Sequence, residues 1–219
     1  MVHFDENAAK LILEKNAFNN SIEFINADRP DLQNDNFGIG IEVTQAVDPK
    51  EAEINSLYSK YKDPNDSFFA NEMSDEEKKT QKKRKQWLIE NGITNSDIPL
   101  LRSTNFTKGI ESPAYDVFYN AVKTKLGKLN EGGYKIYPSN YLFVFTDLLI
   151  EENWCPALLK QLFDLSKNFT IQYSKIYVLF ITRFVCFNII DNTYTYQIIP
   201  NATINQIYSD AYLNVSKSD

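Results

Sequence analysis

Histidine is almost missing from this chain of 219 residues; the only one is His3. A Ser-His-Asp triad, a Cys-His pair, a multi-histidine zinc centre and a histidine-metal nuclease core each need a placed imidazole. One histidine at position 3 furnishes none of them. Cysteine is also scarce. Cys155 and Cys186 lie far apart without a CxxC partner, and they read as two buried thiols in an intracellular protein. The stretch MVHFDENAAK holds no apolar signal region, so a cytoplasmic location is expected. Long hydrophobic runs are lacking too. The most apolar segment, 176–190, is broken by Thr182, Arg183 and Asn188. It is too short and too polar to span a bilayer, and reads as paired strands. No membrane partner is expected. Nor is there an excess of positive charge: the net charge of −6 argues against a uniformly basic nucleic-acid binder but leaves room for a local basic groove.

What is present is ordinary globular material, 43% hydrophobic and 24% charged, enough to bury a core in one domain spanning 1–219. Fifteen Phe and thirteen Tyr predict strands with aromatic faces. Apolar spacing predicts helices over 5–18, 49–61, 113–129, 154–165 and 203–213, and a capping-box pattern starts another at Ser74 that runs past Trp87. Strands are expected in a hairpin over 22–46, at 141–145, and at 175–181, 184–190 and 193–199. That order gives an α/β domain around one mixed sheet flanked by helices, with 62–112 as a helical and irregular insertion. A helix between 37–45 and 141–145 predicts that these two strands run parallel.

The hairpin carries two acids. Asp31 follows Pro30, and Glu42 stands inside the run Gly-Ile-Gly-Ile-Glu-Val-Thr. Period-2 reading puts Phe37, Ile39, Ile41 and Val43 on a core face and Gly38, Gly40, Glu42 and Thr44 on the other. A turn at Asp35-Asn36 pairs Asp31 with Gly40; a register slipped by two pairs Asp31 with Glu42. In either register both acids project from one face, with Cβ atoms about 4.5–8 Å apart, close enough to share a hard divalent cation. Two glycines beside Glu42 suggest a face open to a ligand backbone. A plainer reading makes Asp31 a turn residue and pairs Glu42 with Arg29 or a lysine on an exposed edge strand.

The string RPDLQNDNFGIGIEVTQ resembles the core motif of the PD-(D/E)XK nuclease-like superfamily, a Pro-Asp followed by Glu-x-Lys in a strand. Pro30-Asp31 matches the first half and Glu42-Val43-Thr44 the second, with Thr44 in place of the lysine. The resemblance implies a restriction-endonuclease-like core and metal-dependent hydrolysis of phosphodiester bonds in nucleic acid. Asp31, Glu42 and the Val43 carbonyl would hold Mg²⁺ or Mn²⁺. Gln45, or Lys123, Lys125 or Lys128 on the helix after Pro113, would replace the lysine that orients the attacking water, with Lys125 at the edge of the apolar stripe. Glu14, or else Glu23, would be the acid that the family often has on its first helix. The Thr44 departure also leaves a second reading, a catalytically inactive module of the same fold that binds nucleic acid or a protein partner.

The run EEKKTQKKRKQW, 76–87, sets six basic residues on a chain that is acidic elsewhere. Lys82, Lys83, Arg84 and Lys85 read as a phosphate-contacting surface for DNA or RNA, or as a solvated helix face.

Overall fold

The sheet is arranged around a strand buried on both faces, β4 (Ser139–Thr146), whose sequence SNYLFVFT carries apolar side chains in both directions. A computed structural model describes residues 4–47, 113–146, 148, 150–180 and 182–216. The expected helices over 49–61 and from Ser74, and the 62–112 insertion, lie outside them.

Helix α1 (Phe4–Asn16) opens the described chain. Its Ala8, Ala9, Ile12 and Leu13 repeat at the helical period and are fully buried. Asp5 and Glu6 sit in its first turn, where the helix dipole favours negative charge. It stops short of the expected Phe18. Asn19 and Asn20 then adopt left-handed backbone, φ 48° and 57°, a conformation that Asn tolerates better than most residues. Three strands follow, β1 (Ile25–Asn26), β2 (Leu32–Asn34) and β3 (Ile39–Ala46), each antiparallel to the next. The expected hairpin is therefore a three-stranded meander, with β1 too short for its period to show.

Helix α2 (Pro113–Glu131) lays Tyr115, Phe118, Val122, Leu126 and Leu129 along one stripe. After β4, a 3₁₀ turn (Glu152–Trp154) leads into α3 (Cys155–Ser166), which has proline in its first turn. Then come β5 (Lys175–Phe180), β6 (Arg183–Asn188), β7 (Thr193–Ile198) and α4 (Asn201–Ser216).

The seven strands form one sheet in chain order, β1 to β7. Only β3–β4 and β4–β5 pair in parallel, across the connections that carry α2 and α3, as long crossovers require. Helices α2 and α3 cover one face around Leu142, Val144, Ile176 and Val178. Helices α1 and α4 cover the other around Ile41, Phe143, Tyr177 and Leu179. This is an α/β architecture with helices on both faces of a mixed sheet. No helix among the described residues is long and apolar enough to cross a membrane.

Candidate functional site at the carboxylate pair

The register of β2 on β3 decides where the acids lie. Leu32 pairs with Ile41, Gln33 with Gly40 and Asn34 with Ile39; one step further sets Asp31 opposite Glu42. This is the slipped register. A four-residue loop, 35–38, makes it: Asn34 Oδ1 accepts the Phe37 N–H at 3.0 Å, and Gly38 takes φ 62°, a backbone that glycine adopts at little cost. Phe37 is consequently in the loop and 60% exposed, not on the core face expected for it. Loop 27–31 is tied down on both sides. The Ala27 N–H donates to the Asp31 carbonyl at 2.8 Å, the Lys135 N–H donates to the Arg29 carbonyl at 3.0 Å, and Gln33 Nε2 donates to the Pro30 carbonyl at 2.9 Å.

At Gly40 the face shared by Asp31 and Glu42 is not open. A Cβ on Gly40 would run into the Tyr137 ring and lie 2.7 Å from Pro30 Cγ. The glycine therefore serves close packing inside the chain, and the expected approach of a ligand backbone at Gly40 is corrected. Nor does Glu42 lie on an exposed edge: β3 is an inner strand, and Glu42 is 4% exposed.

Three polar side chains and one backbone N–H surround the pair. Lys125, from α2, places Nζ 2.6 Å from Glu42 Oε1, with 18% of its side chain exposed. Tyr134 donates its hydroxyl to the same oxygen at 3.0 Å. Tyr173 donates its hydroxyl to the Lys125 carbonyl at 3.2 Å, which ties α2 to the loop before β5. The Val43 N–H donates to Asp31 Oδ2 at 2.7 Å. Glu42 Oε2 is buried and has no hydrogen-bond partner among the described residues. Burial, and next the neighbouring Glu42 charge, push the Asp31 carboxyl up to about 6, against the pull of the Val43 N–H and the Lys125 ammonium. Burial and the same Glu42 charge raise the Tyr134 hydroxyl, so it stays protonated and donating.

Asp31, Glu42 and Lys125 thus converge. Val43 adjoins them through its backbone, while its side chain packs in the opposite core. Gln45 does not join them: its amide donates to Asp5 on the α1 side of the sheet. Glu14 is engaged elsewhere, accepting the Phe24 N–H at 2.8 Å with Lys10 3.9 Å away. The α1 acid whose charge acts on Asp31 is Glu6. Lys123 and Lys128 point to solvent. Lys82, Lys83, Arg84 and Lys85 lie outside the described residues. Sequence reasoning missed Tyr134 and Tyr173; the only local signal is the Gly132-Gly133 stop just before Tyr134.

No family model, curated protein or solved structure matches this chain.

Among the described residues, no three of His, Cys, Asp and Glu gather as a metal-holding group. Two carboxylates, those of Asp31 and Glu42, are neighbours. Mg²⁺ commonly takes only one or two, completing its octahedron with water and substrate phosphate oxygens. Hard carboxylate oxygens, one of them buried without a partner, suit that ion or Mn²⁺.

Proposed function

We propose that the chain is a Mg²⁺- or Mn²⁺-dependent nuclease that hydrolyses phosphodiester bonds in DNA or RNA. In this reading it has a restriction-endonuclease-like fold of the PD-(D/E)XK kind, with the motif lysine moved from strand position 44 to Lys125 on α2. The observation that carries the reading is the unpartnered Glu42 Oε2 beside Asp31. A buried carboxylate oxygen without a partner is costly, and a second carboxylate next to it adds repulsion. A cation held by Asp31, Glu42 Oε2 and the Val43 carbonyl removes both costs. When bound, such an ion lowers the pKa of a water and neutralises charge on the phosphate.

The chain's own groups supply the rest. The Lys125 ammonium has three N–H donors. One is spent on Glu42 Oε1, and the others can hold the attacking water or a phosphate oxygen. Thr44, at the position of the motif lysine, lies on the same face of β3 as Glu42 by strand alternation, so a lysine at either position would lie on the Glu42 side of the sheet. Lys82 to Lys85 would contact phosphates away from the cut. The same reading makes 1–219 one domain with 62–112 inserted, working in the cytoplasm, where nucleic acid and Mg²⁺ occur together.

A second reading is a catalytically inactive module of this fold that binds nucleic acid or a protein partner. It is favoured by the Lys125–Glu42 pair, which already neutralises one acid. Nicking of plasmid DNA and cleavage of RNA with Mg²⁺ or Mn²⁺ separate the two. The nuclease reading expects cleavage by the wild type and none by folded Asp31→Asn or Glu42→Gln. Wild type that binds either nucleic acid without cutting it supports the second reading.

A further inference from the structure

Two glycines end α2, Gly132 at φ 91° and Gly133 at φ 87°. Space does not demand them. A Cβ on Gly132 would meet nothing within 4 Å, and one on Gly133 would meet only Arg29 Nη1 at 3.9 Å. The backbone conformation demands them, since an L side chain is strained at that φ. The turn they make sends the chain back, and the next residue is Tyr134, whose hydroxyl reaches Glu42 Oε1. One residue later the Lys135 N–H is fixed on the Arg29 carbonyl at 3.0 Å. Tyr134 is thus held between an obligatory glycine turn and a pinned amide.

The consequence falls on Glu42. Both donors, Lys125 Nζ at 2.6 Å and the Tyr134 hydroxyl at 3.0 Å, converge on Oε1; Oε2 receives none. A carboxylate whose two donors share one oxygen has its rotation fixed, and its other oxygen is left for a different ligand. Lys125 alone would not fix it, because an ammonium is a point charge on a flexible stem that follows the carboxylate as it turns. The tyrosine has a rigid ring and one hydroxyl, and it sets the direction.

We infer that Tyr134 is a positioning residue: set by the Gly132-Gly133 turn, it holds Glu42 Oε1 together with Lys125 and so directs Oε2 at a divalent cation shared with Asp31. This inference rests on the nuclease reading above. It assigns the glycine pair a part in cation affinity that a plain helix stop does not have.

The test is calorimetric titration of Mn²⁺ at fixed pH into wild type, Tyr134→Phe, Glu42→Gln and Tyr137→Phe, with a metal-free melt of each. Groups that orient a metal ligand are worth about 10- to 100-fold in affinity. Tyr134→Phe is expected to weaken Mn²⁺ by at least about 10-fold while its metal-free melt stays near that of wild type. Tyr137→Phe, which removes a hydroxyl from Gln33 and Asp35, is expected to leave Mn²⁺ affinity unchanged. Gly133→Ala, which misdirects Tyr134 without removing it, is expected to weaken Mn²⁺ in the same direction and decides the matter if Tyr134→Phe does not fold. Mn²⁺ bound as tightly by Tyr134→Phe as by wild type, with Glu42→Gln losing it, overturns the inference and leaves the nuclease reading standing. A wild type that binds no Mn²⁺ overturns both.

Discussion

The molecule contains the same three-residue arrangement twice. At the β2–β3 loop, Asp35 Oδ1 receives Lys135 Nζ at 2.6 Å and the Tyr137 hydroxyl at 2.6 Å. Inside the sheet, Glu42 Oε1 receives Lys125 Nζ at 2.6 Å and the Tyr134 hydroxyl at 3.0 Å. Residue types and distances nearly coincide, but burial does not. The Asp35 side chain is 64% exposed and the Glu42 side chain 5%. Water solvates the free side of Asp35, and its two donors hold its carboxyl below the usual range. The inner cluster is largely removed from solvent, and there the partner acid Asp31 is pushed up. A closely similar set of contacts is therefore a tie in one place and a buried charge cluster in the other. Burial, more than the set of contacts, distinguishes the two clusters.

The sharpest way to break the comparison is to delete the lysine from each cluster. Lys125→Met strands a buried carboxylate, and removing one partner of a buried pair costs about 3–5 kcal/mol. It should lower the melting temperature by many degrees and, on the nuclease reading, strongly reduce cleavage of plasmid and RNA substrates. Lys135→Met should leave both within error, because exposed pairs contribute little. Equal losses in the two variants would erase the distinction between the clusters.

A second substitution sharpens the account of the inner lysine. Thr44→Lys alone adds a second ammonium to the face that Lys125 already serves, so on the nuclease reading cleavage should fall. In the Lys125→Met background the new lysine takes over the vacant role, and cleavage should rise at least about 10-fold above the single variant, a fraction of what a positioned proton-handling group supplies. A gain from Thr44→Lys in the wild-type background would mean that Lys125 does not act in cleavage.

A smaller effect concerns pH. In the folded protein without divalent cation Asp31 holds its proton up to about pH 6, against an ordinary value of 3.8. Between about pH 4 and 6 the folded state is the one that binds more protons. Its contribution to stability is full below that window, falls as pH rises through it, and levels off above. Melts in chelator across pH 4 to 7 should show this fall in wild type relative to Asp31→Asn. Asp35 has the opposite sign, its contribution being present above the ordinary value and lost as pH falls. Being exposed, it should barely alter the profile when changed to Asn.

The contrast between the clusters also marks what the sequence made legible. That Asp31 and Glu42 share a face follows from period-2 alternation, which holds in either register. The register itself depends on the Asn34 side chain and the Gly38 backbone, which lengthen the loop to 35–38, and alternation does not reveal that. The parallel pairing of β3 with β4 was legible because a crossover needs a long connection, and α2 was legible from its stripe. Lys125 was one of several candidates, since helical phase identifies a side of α2 but not which lysine meets the sheet. Gln45 fell away because odd positions of β3 face α1, and Glu14 because Phe24 takes it. Glu6 and Tyr134 come near the acids only through packing. Gly40 read as access for a ligand, whereas it is filled by Tyr137, a residue distant in sequence whose fit no local pattern encodes.

The most direct test of the central claim is a crystal structure of the protein with Mn²⁺, read by anomalous scattering. The account predicts a peak within about 2.2 Å of both Asp31 and Glu42 Oε2, with Glu42 Oε1 still held by Lys125 and Tyr134. Well-ordered Asp31 and Glu42 at saturating Mn²⁺ with no peak between them would contradict it.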